Sequence, residues 1–340
     1  MGGVSLTGCC TVLAILLLRA LTGRRIPRRI FVLLWVGALL VLLVPGTFTS
    51  PFSLYALLPR PARALAATVS AAAARAPALW SLLRRTVTGL ALLGLGAACL
   101  LSLLRLCPAR PAIAPAVNDW LAAHPLLRPL RVCVGRTAAP VCCGILLPRI
   151  VLPEDFDLDD RATLDCVLSH EYVHVCRFDP LLKLFFAVAL CLRWYDPLVW
   201  IAALTAGRDI EYACDEAVLD AGIPAKRYAA VLLRAALRRA ERLPLTARFN
   251  AGQLERRVER ITVHRAGSPL SWLAAGALGL SLLLCLGTVP EASKAVPTEL
   301  PHSSFLSSVP HSVCKPDAWT WRSALPSREP SSAPSAPDIR

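Results

Sequence analysis

The stretch Leu168-Ser169-His170-Glu171-Tyr172-Val173-His174 decides how the rest of the chain is read. It sits inside Arg161–Arg177, which reads as a helix. Leu164, Val167, Leu168 and Tyr172 form an apolar side, and the acids of Asp157–Asp160 precede the N-terminus, where the helix dipole favours negative charge. On a helix the i, i+4 spacing puts the imidazoles of His170 and His174 on one face, roughly 6 Å apart at Cβ. That separation suits two nitrogens converging on one zinc ion. Glu171 points to the adjacent side, where a carboxylate can reach a water held by the metal.

A catalytic zinc needs a third protein ligand and an open position. Glu211-Tyr212-Ala213-Cys214-Asp215-Glu216-Ala217-Val218-Leu219 offers one. Its apolar residues alternate with acids at helical spacing, and Glu211 and Asp215 share a face. One acid of this run can ligate the ion while another, a turn away, accepts from an imidazole N–H. Spacing alone leaves Asp209, Glu211 and Glu216 open as the ligand.

Composition sets the surroundings of this site. The chain is 55% hydrophobic and 18% charged, with a mean hydropathy of +0.54. Soluble domains are about half apolar and about a quarter charged, so a purely soluble enzyme, a disordered chain and a fibre are set aside. Four apolar runs, about residues 4–21, 30–45, 86–106 and 269–289, each approach the length of a hydrocarbon core. The net charge of +14 is concentrated in residues 1–106, which carry Arg and no acid. Arg19, Arg24, Arg25, Arg28 and Arg29 lie between the first two runs, and short basic loops stay in the cytoplasm. The expected layout is a multi-pass bacterial plasma-membrane protein. Its N-terminus, residues 46–85 and the tail lie outside, and residues 105–269 lie inside. The charge reads as membrane topology, and no direct nucleic-acid binding is expected. The 13 Cys are scattered without a Cys-x-x-Cys pair, which argues against a cysteine zinc site.

The polar middle, residues 107–268, is the expected catalytic domain. Arg131–Val134 and Gly144–Leu152 read as short strands. Pro148 and Pro153 demote the second to an edge or bent strand, a possible rail for an extended peptide. Leu181–Ala203 is apolar but interrupted by Lys183, Arg193, Asp196 and Pro197. It is expected as a helix–turn–helix at the membrane surface or packed against the spans. A full span there would carry Glu211 to the opposite side from His170. The Pro- and Ser-rich residues 290–340 are expected to be disordered.

Further stretches make a resemblance specific. They are Ala139-Pro140-Val141, Gly144 through Pro153, Leu168 through His174, Arg177-Phe178-Asp179, Trp194 through Trp200 and Arg208 through Leu219. In order and spacing they resemble the membrane-embedded zinc metallopeptidases of the BlaR/MecR antibiotic-sensing signal transducers. The resemblance implies a mainly α membrane protein with four transmembrane helices. A cytoplasmic α+β, gluzincin-like zinc metallopeptidase domain lies between the third and fourth spans. It implies one Zn2+ per chain held by His170, His174 and Glu211, with Glu171 as general base and Asp215 orienting the first His. It also implies hydrolysis of a cytoplasmic protein, a winged-helix transcriptional repressor or the chain itself, in regulation of antibiotic resistance. The transducers typically carry a large extracellular penicillin-binding sensor after the last span. Low-complexity residues 290–340 stand in that place, so covalent sensing of a β-lactam by this chain is not expected.

Two other functions fit parts of the pattern. A non-proteolytic signalling scaffold would close a structural zinc site with a fourth ligand, for which Cys176 and Cys214 are nearest in sequence. A membrane quality-control zinc protease would share the same motifs. Tyr195 and Arg208 are the candidates for stabilising an oxyanion. The dibasic pairs Arg238-Arg239 and Arg256-Arg257 look exposed enough to be cut.

Overall fold

The computed structural model describes residues 2–23, 26–43, 48–49, 78–242, 244–263, 276–277, 279 and 288–289. The chain divides into two units, Met1–Ala295 and Val296–Arg340, and the second lies wholly outside the described residues. Residues 290–340, expected from the sequence to be disordered, and most of the fourth apolar run lie outside the described residues.

Helices α1 (Gly2–Thr22) and α2 (Arg28–Leu43) form a pair. Helix α3 (Ala78–Leu106) begins eight residues before the apolar run read from the sequence, and none of its residues is buried. Leu82, Leu90, Leu93, Leu100 and Leu104 are all exposed along it. Among the described residues α3 is the one helix long and apolar enough to cross a membrane, and Gly8–Thr22 of α1 is a shorter apolar stretch.

The polar middle segment opens with α4 (Pro115–Ala123) and a mixed sheet of β2 (Arg110–Pro111), β3 (Arg131–Gly135), β4 (Val141–Cys143) and β5 (Arg149–Pro153). A separate parallel pair joins β1 (Phe48–Thr49) to β6 (Thr288–Val289). The strand order of the larger sheet is β2-β3-β5-β4, with β3 and β5 parallel and β4 antiparallel to β5. The second strand of the sequence reading is thus corrected. Gly144 has φ +82°, and a Cβ there would lie 2.4 Å from the Leu147 carbonyl oxygen, so residues 144–147 turn instead of extending. Pro148 falls before β5 and Pro153 at its last position, which leaves the interior strand its donors. The edge role belongs to β4.

Helix α5 (Arg161–Cys176) starts where Asp160 accepts a hydrogen bond from the Thr163 amide at 3.1 Å. It stops at Phe178, whose φ of 57° is left-handed and reverses the chain at once into α6 (Asp179–Leu192). Arg128 stacks on the Phe178 ring at 3.9 Å and donates to the Val175 carbonyl, which holds this turn. A turn over residues 193–196 leads into α7 (Pro197–Asp220), capped by Asp196 accepting from the Leu198 amide at 3.0 Å.

The α6–α7 hairpin is the packed alternative for Leu181–Ala203. Leu182, Phe186 and Ala189 of α6 and Val199, Ala202 and Ala206 of α7 share one core with Val12, Ile15, Phe31, Trp35 and Ala38 of α1 and α2. At its tip Trp194 and Tyr195 meet Trp80 of α3 with ring centroids 6.1 Å apart. Fourteen residues of α6 rise about 21 Å, and α7 returns the same way. The hairpin therefore returns Glu211 of α7 to the end where His170 and His174 of α5 lie. The remaining helices, α8 (Ala225–Arg242) and α9 (Pro244–Thr262), close over α5. Tyr228, Val231 and Ile261 complete a second core with Ile150, Leu152, Leu164 and Leu168.

Candidate metal centre

His170 and His174 lie one turn apart on α5, and their Nε2 atoms approach to 3.3 Å. Glu211, from α7, completes a triangle. Its Oε2 is 3.6 Å from His170 Nε2 and its Oε1 is 3.7 Å from His174 Nε2. Ligands about 2.0–2.1 Å from a tetrahedral zinc are about 3.4 Å apart from one another, so the donor set has nearly the right size.

The far sides of both rings fix which nitrogen faces the triangle. His174 Nδ1 is 2.8 Å from Asp179 Oδ2, a carboxylate that can only accept. His170 Nδ1 is 2.8 Å from the Tyr228 hydroxyl, which donates its own proton to Asp215 Oδ1 at 2.7 Å. Both Nδ1 atoms are thus donors, and both Nε2 lone pairs point at Glu211. This is the tautomer a metal ligand requires. The residues present fit a zinc ion.

Asp215 therefore reaches His170 through Tyr228; its direct separation from Nδ1 is 3.8 Å. Arg257 of α9 binds both oxygens of Asp215, Nε at 2.9 Å and Nη2 at 2.7 Å, and places Nη1 3.3 Å from Glu211 Oε2. Lys183 of α6 donates to Glu211 Oε1 at 3.0 Å. Burial by itself would raise the Glu211 carboxyl. The positive charges of Lys183 and Arg257 outweigh it and hold this carboxylate well below its usual range. Burial also opposes charge on Arg257, but Asp215 and Glu211 keep it protonated. Burial and the Asp215 charge push the Tyr228 phenol up, so it remains a donor.

Glu171 is buried on the adjacent side of α5. Burial and then the Glu171 carboxylate push the Cys142 thiol of β4 well above its usual range, which sets the sheet edge beside this residue.

The structure separates the acids that spacing left open. Asp209 is fully buried on another face of α7, held by Arg19 Nε at 3.1 Å and Trp35 Nε1 at 2.9 Å. Glu216 accepts from the Arg28 amide at 2.8 Å. Glu211 is the one of the three that meets the imidazoles. Cys214 lies behind His174, 3.3 Å from Nδ1, and is not on the Nε2 side; Cys176 is exposed at the end of α5. Neither is placed to close the triangle with a fourth ligand. Tyr195 stands at the hairpin tip, packed against Trp80 and Trp194. Arg257 is turned inward with its side chain 14% exposed, so the Arg256-Arg257 pair is not an open cleavage site.

The sequence assigns no place at this site to Asp179, Tyr228 or Arg257, and shows Arg257 only as half of a dibasic pair. Asp179 belongs to the Arg177-Phe178-Asp179 stretch, where nothing local marks it as a partner of His174. Tyr228 and Arg257 follow His170 by 58 and 87 residues and belong to no local pattern.

Residues 119–261 match the family described as BlaR1 peptidase M56. That segment belongs to the BlaR1 peptidase M56 family. It runs from the middle of α4 to the end of α9 and holds every residue of the site just described. Regulatory protein BlaR1 of Bacillus licheniformis is 31% identical over 139 residues, which cover 39% of this chain and 23% of that protein. The chain thus contains a peptidase domain of a metallopeptidase family, set in a mostly helical fold.

Proposed function

We propose that this chain is a membrane-embedded zinc endopeptidase in which His170, His174 and Glu211 hold the ion. The observation that carries the reading is the triangle of two Nε2 lone pairs and one carboxylate at 3.3, 3.6 and 3.7 Å, with both rings anchored through Nδ1. A zinc ion there supplies Lewis acidity toward water and a peptide carbonyl. Glu171 takes the proton of the attacking water and delivers it to the leaving amine. Asp179 and the Asp215–Tyr228 pair hold the two imidazoles in the binding tautomer. Edge strand β4, beside Glu171, offers free backbone groups to an extended peptide.

In this reading the chain crosses the membrane four times, at about 4–21, 30–45, 86–106 and 269–289, with the 107–268 domain on the cytoplasmic side and its α6–α7 hairpin packed against the first two spans. Three features support it. The leucines of α3 are exposed along its whole length. Arg19, Arg28 and Arg29 gather at the α1–α2 turn and meet Asp209 and Asp220 of α7. The β1–β6 pair brings the segment after α2 together with the end of the fourth apolar run. The substrate is a cytoplasmic protein, a winged-helix repressor or the chain itself, and the role is regulatory signalling in antibiotic resistance. That assignment rests on the likeness to regulatory protein BlaR1.

The test is metal analysis of the detergent-purified full chain together with cleavage of a quenched-fluorescent peptide library and of the chain itself. His170→Ala and Glu211→Ala are expected to lose stoichiometric zinc. Glu171→Ala is expected to keep zinc and lose cleavage. Full zinc in both ligand variants removes the site. Undiminished cleavage by Glu171→Ala leaves a scaffold with structural zinc in its place.

A further inference from the structure

We infer that Arg257 is a positioning residue that aligns two of the three metal ligands from α9; this rests on the zinc-site reading above. Glu211 and Asp215 lie one turn apart on the same face of α7, a like-charge spacing that repels when nothing stands between the carboxylates. The guanidinium stands there. Its Nε and Nη2 take the two oxygens of Asp215 at 2.9 and 2.7 Å, and Nη1 reaches Glu211 Oε2 at 3.3 Å. Nη2 also lies 3.5 Å from His170 Nε2.

Two ligand orientations follow from this one fork. Glu211 is held directly. His170 is held at one remove, because Asp215 fixes the Tyr228 hydroxyl and that hydroxyl accepts from Nδ1. Asp215 has a side chain only 4% exposed, so without Arg257 it would be a buried charge with no cation. Lys183 cannot substitute. It reaches Glu211 alone, from α6, and an ammonium lacks the planar fork that grips both oxygens of a carboxylate. The neighbouring Arg256 is exposed, which separates the inward role from the general basicity of α9.

The experiment measures zinc affinity by chelator competition on the full chain in detergent, alongside thermal unfolding. Arg257→Ala is expected to weaken zinc binding by about 10–100-fold, the range typical for partners that orient metal ligands. Millimolar guanidinium ion is expected to restore part of that loss, an effect that a purely packing role would not show. Arg256→Ala is expected to match the wild type. If Arg257→Ala does not fold, Arg257→Lys decides. It keeps the charge but not the fork, and it is expected to remain well below wild-type affinity. Wild-type affinity in a folded Arg257→Ala or Arg257→Lys protein overturns the inference while the zinc site stands. A wild-type protein that binds no zinc overturns the site itself.

Discussion

Two faces of α7 use the same chemistry for different ends. On one, Asp209 is wholly buried, gripped by Arg19 and capped by the Trp35 indole N–H. On the other, Asp215 is buried, gripped by Arg257 and capped by the Tyr228 hydroxyl. The difference lies in the aromatic partner. An indole N–H can only donate, so the chain of hydrogen bonds ends at Trp35. A phenol both donates and accepts, so Tyr228 passes the order of Asp215 on to His170. A buried carboxylate–arginine pair is thus a fastening on one face and, on the other, part of the support of His170, a ligand in the proposed zinc site.

This contrast can be broken by mutation. The largest effect is expected for Asp209→Ala, which leaves Arg19 and Trp35 without their acceptor. It should destabilise the fold by about 3–5 kcal/mol in thermal or urea unfolding, yet leave zinc affinity of the folded fraction unchanged. Asp215→Asn should do the reverse, weakening zinc by about 10–100-fold. Equal losses of zinc affinity in the two variants would mean that the faces are not separable. Among the aromatic partners, Tyr228→Phe should lower zinc affinity by about tenfold and Trp35→Phe should cost about 1–3 kcal/mol of stability with no change in zinc.

The smallest effect compares Glu211 with Glu216 in metal-free protein. Glu211 is depressed in the folded state, so its contribution is present above the unfolded pKa and is lost as pH falls through the folded value. Glu216 is raised, first by burial, so its ionisation opposes folding as pH rises above the unfolded value. Unfolding followed from pH 4 to 8 should show Glu211→Gln destabilising at neutral pH and Glu216→Gln stabilising there. The same sign for both would contradict the assigned environments.

The His170–His174 pair was legible because both residues sit on one regular helix, where spacing alone dictates the face. The strands were legible only in part. The turn at Gly144 moved the edge from the second apolar stretch to β4, since a left-handed glycine cannot be told from any other in sequence. Leu181–Ala203 looked like a possible span because hydropathy does not record that two antiparallel helices return to the side they left.

The sequence by itself singled out the His170–His174 pair, the neighbouring Glu171, the acid-bearing helix and the apolar character of the surroundings, because periodicity and composition are local properties. Spacing left Asp209, Glu211 and Glu216 open and the resemblance pointed to Glu211; the tertiary structure is what brings Glu211 to the imidazoles and turns the other two acids away. It alone brought Asp179 to His174, and Tyr228 with Arg257 to His170. The reason is physical: which side of a helix faces a neighbour depends on how separate elements pack, and residues 58 and 87 positions apart share no local pattern that could announce their meeting.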